Sequence, residues 1–411
     1  MTLLAACGVP ASESADRANN REYSLHYTLS PDPATSTVHV VMRLQQPRDL
    51  VREISFPAGE AISDLGGDGD LRIKDSHARW IPPSDGGALE WRVLVHQERG
   101  KNAFDALLNT DWGIFRAEDV IPRARTRTIK GSESRTTMAF DLPAGWSVIS
   151  EYSALVQPII VDRAERRFDE PTGWIAMGKL GVRRETIAGT RVAIAAPQEH
   201  DVRRMDMLAL LNWTLPELKE LLPDSLPRLT IVSAGEPMWR GGLSAPASFF
   251  LHGDRPLISE NATSSLMHEL MHTALRLRPR EGNDWIVEGL AEYYSIELLR
   301  RGNAISTSRA SKAFARQETW GEQSDALCSA NSTAATTALA VTIFRKLNRE
   351  LLAKSDGKAD LDTLLPLLAN AEVDLDILAA AAEKLVGAVP DSLHSDNLPG
   401  CRSMASGNQK P

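Results

Sequence analysis

The chain has 411 residues, a formal net charge of −8, 43% hydrophobic residues and 24% charged residues. This length allows two or three domains with a well-buried core, because single cores stop growing near about 250 residues. The acidic balance and the shortness of the Arg-rich stretches argue against a nucleic-acid partner, and no apolar run approaches the roughly 20 residues that span a bilayer.

Residues 1–20 contain a motif that bears on where the protein resides. Leu4, Ala5 and Ala6 lie directly before Cys7 and a small, polar segment, an arrangement that resembles the lipobox of bacterial lipoproteins. A lipoprotein signal also needs a basic start and a longer apolar stretch, so either the signal is truncated or the resemblance is accidental. A truncated signal predicts lipidation of Cys7 and a periplasm-facing lipoprotein of the bacterial cell envelope, with this lipid anchor as its membrane contact. An accidental resemblance predicts a secreted or cytoplasmic protein.

The cysteine count adds to this expectation. The chain has three cysteines, and lipidation of Cys7 would leave Cys328 and Cys401 as an even pair. Such a pair can form one disulfide in an oxidising compartment; the alternative is that both thiols are reduced and buried. The lipobox and the pair together favour an exported, envelope-anchored protein.

Residues 21–198 alternate apolar and polar side chains in short runs that Pro, Gly, Asp and Ser separate. Runs of period two predict half-buried antiparallel strands, so this region is predicted to be a β-sandwich domain. The clearest predicted strands cover 23–29, 38–44, 89–95, 138–142 and 191–196. The isolated histidines of the region share no ligand-like spacing and are predicted to be structural; they are His26, His39, His77 and His96.

From residue 199 onwards the apolar spacing becomes mainly helical, with predicted strands at 229–234 and 247–253. We predict a mixed domain over 199–302 and a helical domain over 303–400. Residues 401–411 form a short polar tail that is expected to fray. The whole chain is therefore predicted to have an α+β multidomain fold.

The segment HELMH, residues 268–272, places two histidines one helical turn apart. A helix is predicted to begin at Ser264 or Ser265, which are good N-caps, and to end before Pro279. On that helix, His268 and His272 project from one face, as two neutral imidazoles that bind one Zn²⁺ would require. A catalytic zinc needs a third protein ligand as well.

A second predicted helix, bounded by Asp284 and Gly302, supplies a candidate for that ligand. Its Glu288 and Glu292 lie four residues apart on one face, where like charges repel by roughly a few tenths of a kcal/mol. A cation would offset this repulsion, with Glu288 as a ligand and Glu292 as the acceptor for a free histidine ring N–H. Gly289 is predicted to let the two helices approach closely.

Glu269 lies one step round the first helix, where it can take a proton from a water that the metal activates. The competing hypothesis is a metal-free helical core, in which the histidines are hydrogen-bonded structural residues. HExxH followed by a second amphipathic helix with paired acids seldom occurs by chance, so the sequence favours the metal site.

HELMH (268–272) and WIVEGLAEYY (285–294) together resemble the signature of gluzincin metallopeptidases. The chain is similar in style to the aminopeptidase N and glycyl-aminopeptidase-like families, in which a β-rich N-terminal domain precedes a thermolysin-like catalytic domain, here 199–302. The resemblance implies that His268, His272 and Glu288 bind one Zn²⁺ and that Glu269 is the general base. Glu292 is similar in position to an acid that orients a zinc-binding histidine in thermolysin-like sites.

WRGGLSAP, residues 239–246, lies where those families carry a Gly-rich edge strand that pairs with the substrate backbone. The resemblance implies that a peptide or protein substrate binds along Gly241, Gly242, Leu243 and Ser244. In the aminopeptidase families this strand carries a Glu that binds the free amine of the substrate, and Ser244 occupies that position here. Exopeptidase and endopeptidase action therefore both stay open.

Two further departures concern the connecting loop and the oxyanion donor. Fifteen residues (288 − 272 − 1) separate His272 from Glu288, fewer than in those families, which shortens the loop without preventing ligation. No Tyr occupies the downstream position of their oxyanion donor, and the loss of one such donor costs about 100-fold or more in rate. His252 is a candidate replacement. The resemblance thus predicts a zinc-dependent peptidase, and the alternative is a zinc-bearing envelope lipoprotein that binds peptides without efficient catalysis.

Overall fold

The computed structural model describes residues 21–152, 157–161 and 170–401. Cys7, the predicted signal at 1–20 and residues 402–411 of the predicted tail lie outside the described residues. The chain divides into two compact units, and the division falls between Leu180 and Gly181.

The described residues form twenty-two strands, eight α-helices and two short 3-10 helices. The strands of the first unit are β1 (Glu22–Asp32), β2 (Thr37–Gln45), β3 (Val51–Pro57), β4 (Ile62–Gly67), β5 (Asp70–Lys74), β6 (His77–Ile81), β7 (Gly86–Leu94), β8 (His96–Gly100), β9 (Ala103–Leu108), β10 (Trp112–Arg116), β11 (Arg125–Thr128), β12 (Glu133–Phe140), β13 (Ser147–Ile149), β14 (Ile159–Val161) and β15 (Trp174–Gly178). The remaining strands are β16 (Leu180–Ile187), β17 (Thr190–Pro197), β18 (Arg228–Ala234), β19 (Gly242–Ala245), β20 (Ser248–His252), β21 (Arg278–Pro279) and β22 (Glu372–Val373). The helices are α1 (Ala117–Val120), α2 (Arg204–Leu221), α3 (Ser265–Leu275), α4 (Asp284–Arg301), α5 (Thr307–Gly321), α6 (Ala334–Lys354), α7 (Leu361–Leu368) and α8 (Leu375–Val386), with 3-10 turns at Asp391–Leu393 and Ser395–Asn397.

The first unit is built from three sheets, with strand orders β14-β12-β1-β2-β7-β4, β13-β15-β10-β9-β8 and β11-β3-β6-β5. Along β1 and most of β2 every second residue is buried, as the period-two pattern predicted. Three sheets replace the two of the predicted sandwich. The prediction of antiparallel pairing is wrong for β1 and β12, which run parallel. Alternation of apolar and polar residues shows which face of a strand is buried, and it does not show the direction of the strand relative to its neighbour.

The histidines of the first unit make local polar contacts. A ring nitrogen of His26 lies 2.8 Å from the Thr137 hydroxyl, and a ring nitrogen of His39 lies 3.2 Å from the Glu90 carboxylate. His26, His39, His77 and His96 belong to no group that could hold a metal among the residues that the structure describes.

The second unit contains a five-stranded sheet of order β16-β17-β18-β20-β19, in which β17, β18 and β20 are parallel and β19 is antiparallel to β20. The predicted domain boundary at residue 198 therefore comes too late, because β16 and β17 are strands of this sheet. Helices before and after residue 302 share one hydrophobic core, which includes Leu270, Ile286, Val341 and Leu364. The segments 199–302 and 303–400 are consequently parts of one compact unit.

The two helices of the HExxH region begin and end close to the predicted residues. Ser264 is the N-cap of α3, and its hydroxyl accepts a hydrogen bond from the Met267 N–H at 3.2 Å. The helix ends at Leu275, before the predicted limit at Pro279. It ends there because Arg276 adopts a left-handed conformation with φ of 50°. The N-cap of α4 is Asn283, one residue before the predicted Asp284, and its C-cap is Gly302.

Gly289 on α4 allows a close helix approach, although the neighbouring helix differs from the predicted one. A Cβ atom at this position would lie 2.5 Å from the Cβ of Ala340 and 2.9 Å from a ring carbon of Phe344. Both neighbours belong to α6, so the glycine serves the packing of α4 against α6. The prediction that it serves the approach of α4 to the HExxH helix is wrong, because the sequence spacing does not reveal which helix covers each face.

The second unit also contains a disulfide. Cys328 and Cys401 are joined across 73 residues of sequence, and both side chains are partly buried. Among the described residues, none of the helices combines the length and the apolar character that crossing a membrane requires.

Candidate metal centre

Three side chains converge where α3 packs against α4. The Nε2 atoms of His268 and His272 lie 2.9 Å apart. The Glu288 carboxylate faces both of them, with one oxygen 3.2 Å from Nε2 of His268 and the other 3.3 Å from Nε2 of His272. Among the described residues, these three are the group whose ligand atoms lie close enough together, within 4.8 Å, to hold one metal ion.

The hydrogen bond on the far side of the His268 ring indicates what this cluster can bind. Nδ1 of His268 lies 3.1 Å from a carboxylate oxygen of Glu292, and an ionised carboxylate only accepts hydrogen bonds. When the ring is neutral, as metal binding requires, Nδ1 therefore carries its proton and the lone pair of Nε2 faces His272 and Glu288. Electron pairs at these distances repel one another unless a proton or a metal ion lies between them. Two imidazoles and one carboxylate are the ligands of catalytic zinc sites, so the residues fit Zn²⁺.

The charged groups of the cluster shift one another's pKa values in opposite directions. Burial raises the pKa of Glu288, but the hydrogen bonds to His268 and His272 outweigh burial, so the pKa lies well below its usual range. Burial lowers the pKa of His268, but its hydrogen bonds to Glu288 and Glu292 outweigh burial and raise that pKa well above its usual range. The lowered pKa of Glu288 is the shift that neighbouring hydrogen-bond donors and positive charge produce, and the raised pKa of His268 is the shift that neighbouring carboxylates produce.

Glu269, the predicted general base, lies beside the cluster and is only 8% exposed. Burial is the largest cause of the rise in its pKa, and the neighbouring histidines oppose that rise. The backbone N–H of Ser244 also hydrogen-bonds to the carboxylate and lowers its pKa. A carboxylate whose pKa is raised towards neutrality is suited to accept a proton and to release it again.

The Gly-rich segment lies directly against Glu269. It contains β19, which is the last strand in the order of its sheet, with Gly242 opposite Leu251 of β20. A Cβ atom on Gly242 would lie 2.6 Å from both Cγ and Oε1 of Glu269, so the glycine leaves the space that the Glu269 side chain occupies. The structure therefore brings the predicted substrate strand and the predicted base together. Gly241 lies just before the strand, and its carbonyl accepts a hydrogen bond from the backbone N–H of His252 at 2.9 Å.

Replacing Gly242 with Ala is expected to displace the Glu269 carboxylate while leaving the three converging side chains in place. A displacement of about 1 Å in a catalytic group can cost on the order of 100-fold in rate, so we expect kcat to fall by about that factor. Zinc content should stay at the wild-type level, as measured by metal analysis of the purified variant. Gly235→Ala is the matched control, because a Cβ there has its nearest neighbour at 3.9 Å. Equal losses in both variants would contradict the specific role of Gly242.

His252, the candidate oxyanion donor, is not among the side chains that converge on the cluster. It is fully buried, and its Nδ1 accepts a hydrogen bond from the Asp254 N–H at 3.2 Å. Burial lowers its pKa, which keeps the ring neutral. Its role as an oxyanion donor stays a prediction.

Gln317 is a polar residue near the site that the sequence motif does not reveal. Gln317 on α5 is 3% exposed, and its side-chain amide donates a hydrogen bond to Glu292 at 3.1 Å. It lies 25 residues from Glu292 along the chain, and its segment carries no metal-binding motif. The available signal was its position on the same helix face as the apolar residues of α5. A glutamine that is buried on such a face needs hydrogen-bond partners.

Comparisons with known proteins give a result at the level of the fold. No family model matches the chain, and no curated protein matches it. Among solved structures, an aminopeptidase N family protein from Idiomarina loihiensis matches with a TM-score of 0.64 at 14% identity, over 92% of this chain and 74% of that one. A variant of an M1 zinc metallopeptidase from Deinococcus radiodurans matches with a TM-score of 0.58 at 13% identity, over 93% of this chain and 94% of that one.

These matches define the class of fold. The chain has a gluzincin aminopeptidase-like fold, with a β-rich N-terminal part made of several sheets and a second part that carries most of the helices. The resemblance expected from HELMH and WIVEGLAEYY is thereby confirmed at the level of the fold. The two similar structures are named as an aminopeptidase N family protein and an M1 zinc metallopeptidase.

Proposed function

We propose that the protein is a zinc-dependent peptidase that hydrolyses peptide bonds, with one Zn²⁺ held by His268, His272 and Glu288. The observation that carries this proposal is the convergence of two ring nitrogens and one carboxylate, with Nδ1 of His268 on the far side of the ring at 3.1 Å from Glu292. The likeness to solved metallopeptidase structures supports the proposal at the level of the fold.

The remaining residues have defined tasks in this proposal. When bound, zinc polarises the scissile carbonyl and lowers the pKa of water. Glu269 accepts the proton of the attacking water and donates it to the leaving amine, and its burial favours this exchange. Glu292 fixes the orientation of the His268 ring through the hydrogen bond to Nδ1. The backbone N–H of Ser244 helps to hold the Glu269 carboxylate.

We propose further that the substrate is a peptide or protein that binds in an extended conformation along 241–244. This assignment rests on the close approach of Gly242 to Glu269 and on the position of β19 at the end of its sheet. Ser244 offers a hydroxyl and no carboxylate, so an ion pair with a free amino terminus would need another acid. The substrates that this strand suits best are therefore selected by their backbone and side chains.

The second candidate function is a zinc-bearing protein that binds peptides without efficient catalysis. It is favoured by two features of the sequence: no Tyr occupies the downstream position expected for an oxyanion donor, and Ser244 offers no carboxylate to a free amine. A structural zinc has four closed protein ligands, whereas a catalytic zinc keeps one position open. The three-residue cluster matches the open arrangement better.

We also propose that the protein works in an oxidising compartment such as the bacterial cell envelope. The Cys328–Cys401 disulfide supports this location, because disulfides persist mainly in exported proteins. A lipid anchor on Cys7 would hold it at the membrane.

The decisive experiment is digestion of a mixed peptide library by the zinc-loaded protein, with and without a chelator, read by mass spectrometry. We expect chelator-sensitive cleavage that returns when zinc is added back. Cleavage positions distinguish removal of amino-terminal residues from internal cleavage. Peptides that bind in a zinc-dependent manner and stay intact would favour the second candidate. Cleavage that persists without zinc would overturn the proposed mechanism.

A further inference from the structure

The Glu292 carboxylate accepts hydrogen bonds from three different side chains. Oε2 receives the His268 ring N–H at 3.1 Å and the Ser295 hydroxyl at 3.4 Å. Oε1 receives the side-chain amide of Gln317 at 3.1 Å. His268 and Gln317 thus contact opposite oxygens of one carboxylate, and Gln317 has no role in the proposed reaction so far.

Gln317 is the only one of these donors that comes from a helix without a proposed zinc ligand. It lies on α5, which packs against α4, and its neighbours in the sequence, Arg316 and Glu318, are exposed. Its own side chain is 3% exposed. A long amide side chain loses rotamer freedom when it is buried, so its burial must be compensated by contacts such as the hydrogen bond to Glu292.

Without the hydrogen bond from Gln317, the Glu292 carboxylate could itself become a metal ligand. Glu288 and Glu292 lie one turn apart on the same face of α4, and both carboxylates are acceptable ligands for a divalent cation. Rotation of the Glu292 side chain would break its hydrogen bond to Nδ1 of His268. The amide of Gln317 holds Oε1 from the side of α5 and so opposes that rotation.

We propose that Gln317 is a positioning residue of the metal centre, which fixes Glu292 as the hydrogen-bond acceptor of His268 and keeps it from becoming an additional metal ligand. The inference rests on the zinc site of the proposed function and is independent of peptide cleavage. Three helices therefore build the site: α3 and α4 carry the proposed ligands, and α5 carries the residue that restrains Glu292.

The test compares zinc binding by the wild type and by Gln317→Met and Gln317→Glu variants. Methionine keeps the length of the side chain without a donor, and glutamate replaces the donor with an acceptor that repels Glu292. Loss of a partner that orients a ligand typically weakens metal binding by about 10–100-fold, so we expect the Kd for zinc to rise about tenfold in Q317M and further in Q317E. The Kd is measured by competition with a chromophoric chelator.

The absorption spectrum of the Co²⁺-loaded protein supplies a readout that a merely structural role would not change. We expect the visible bands of Q317M and Q317E to shift in position and intensity relative to the wild type, because the orientation or number of the ligands changes. Gln323→Met is the matched control: Gln323 is exposed and lies beyond the Glu322 C-cap of α5, so the Kd and spectrum of this variant should equal those of the wild type.

Two results would overturn the inference. One is an unchanged Kd with an unchanged Co²⁺ spectrum in Q317M, even if its melting temperature falls. The other applies if neither of these variants folds: Gln317→Asn, which keeps the amide and withdraws it from Glu292 by one methylene, should raise the Kd by about tenfold, and an unchanged value contradicts the proposal. A wild type that binds zinc and cleaves no peptide would refute the peptidase and leave this test of Gln317 intact.

Discussion

A Glu269→Gln variant is expected to bind zinc at the wild-type stoichiometry and to hydrolyse peptides at least about 1,000-fold more slowly, a loss in the range that general-base catalysis contributes. The amide has nearly the same shape as the carboxylate, so the packing against Gly242 should survive. It cannot accept a proton from water. The measurement is single-turnover hydrolysis of the best library peptide, together with metal analysis of the same sample.

Glu318→Gln is the control for this variant, because it makes the same chemical change at an exposed position of α5. Its rate should equal that of the wild type. Undiminished turnover by Glu269→Gln would show that another group is the base, whereas loss of zinc together with activity would show that Glu269 holds the metal.

A Glu288→Gln variant is expected to lose zinc affinity by more than about 100-fold, which exceeds the effect of residues that only orient a ligand. The change removes the negative charge that faces both ring nitrogens at 3.2 and 3.3 Å. Competition with a chromophoric chelator measures the loss. Thermal unfolding gives a second readout, because zinc at 100 times its Kd should stabilise the wild type by about 2.7 kcal/mol and this variant hardly at all.

The interpretation of Glu288→Gln depends on the fold of the metal-free protein. Circular dichroism without metal should match that of Glu318→Gln, which serves again as the exposed control. Equal zinc affinity in Glu288→Gln and the wild type would remove Glu288 from the ligand set. In that case the paired histidines alone would be insufficient for a catalytic site.

The parts of the site that follow local rules could be predicted from the sequence. An i, i+4 spacing places His268 and His272 on one face of a helix, and a serine N-cap gives the start of that helix at Ser264. The same spacing links Glu288 to Glu292 on α4. The hydrogen bond between Glu292 and His268 follows from the packing of these two short segments, which lie close together in the sequence.

The parts that depend on distant segments could not be predicted in this way. The contact of Gln317 with Glu292 requires α5 to return to α4, and the close neighbours of Gly289 belong to α6. The parallel pairing of β1 with β12 also joins distant parts of the chain. Periodicity shows which face of an element is buried and contains no information about the partner that covers it.

The disulfide has a consequence for the folding thermodynamics of the second unit. It closes a loop of 73 residues that contains α6, α7 and α8, and in the chain-entropy model such a closure destabilises the unfolded chain by about 4 kcal/mol. That amount is comparable with the whole stability margin of many domains. A thiol reductant in the buffer would break the disulfide and so lower the stability of the second unit. Its thiolate would also bind zinc, so a zinc-binding isotherm measured with such a reductant would combine both effects.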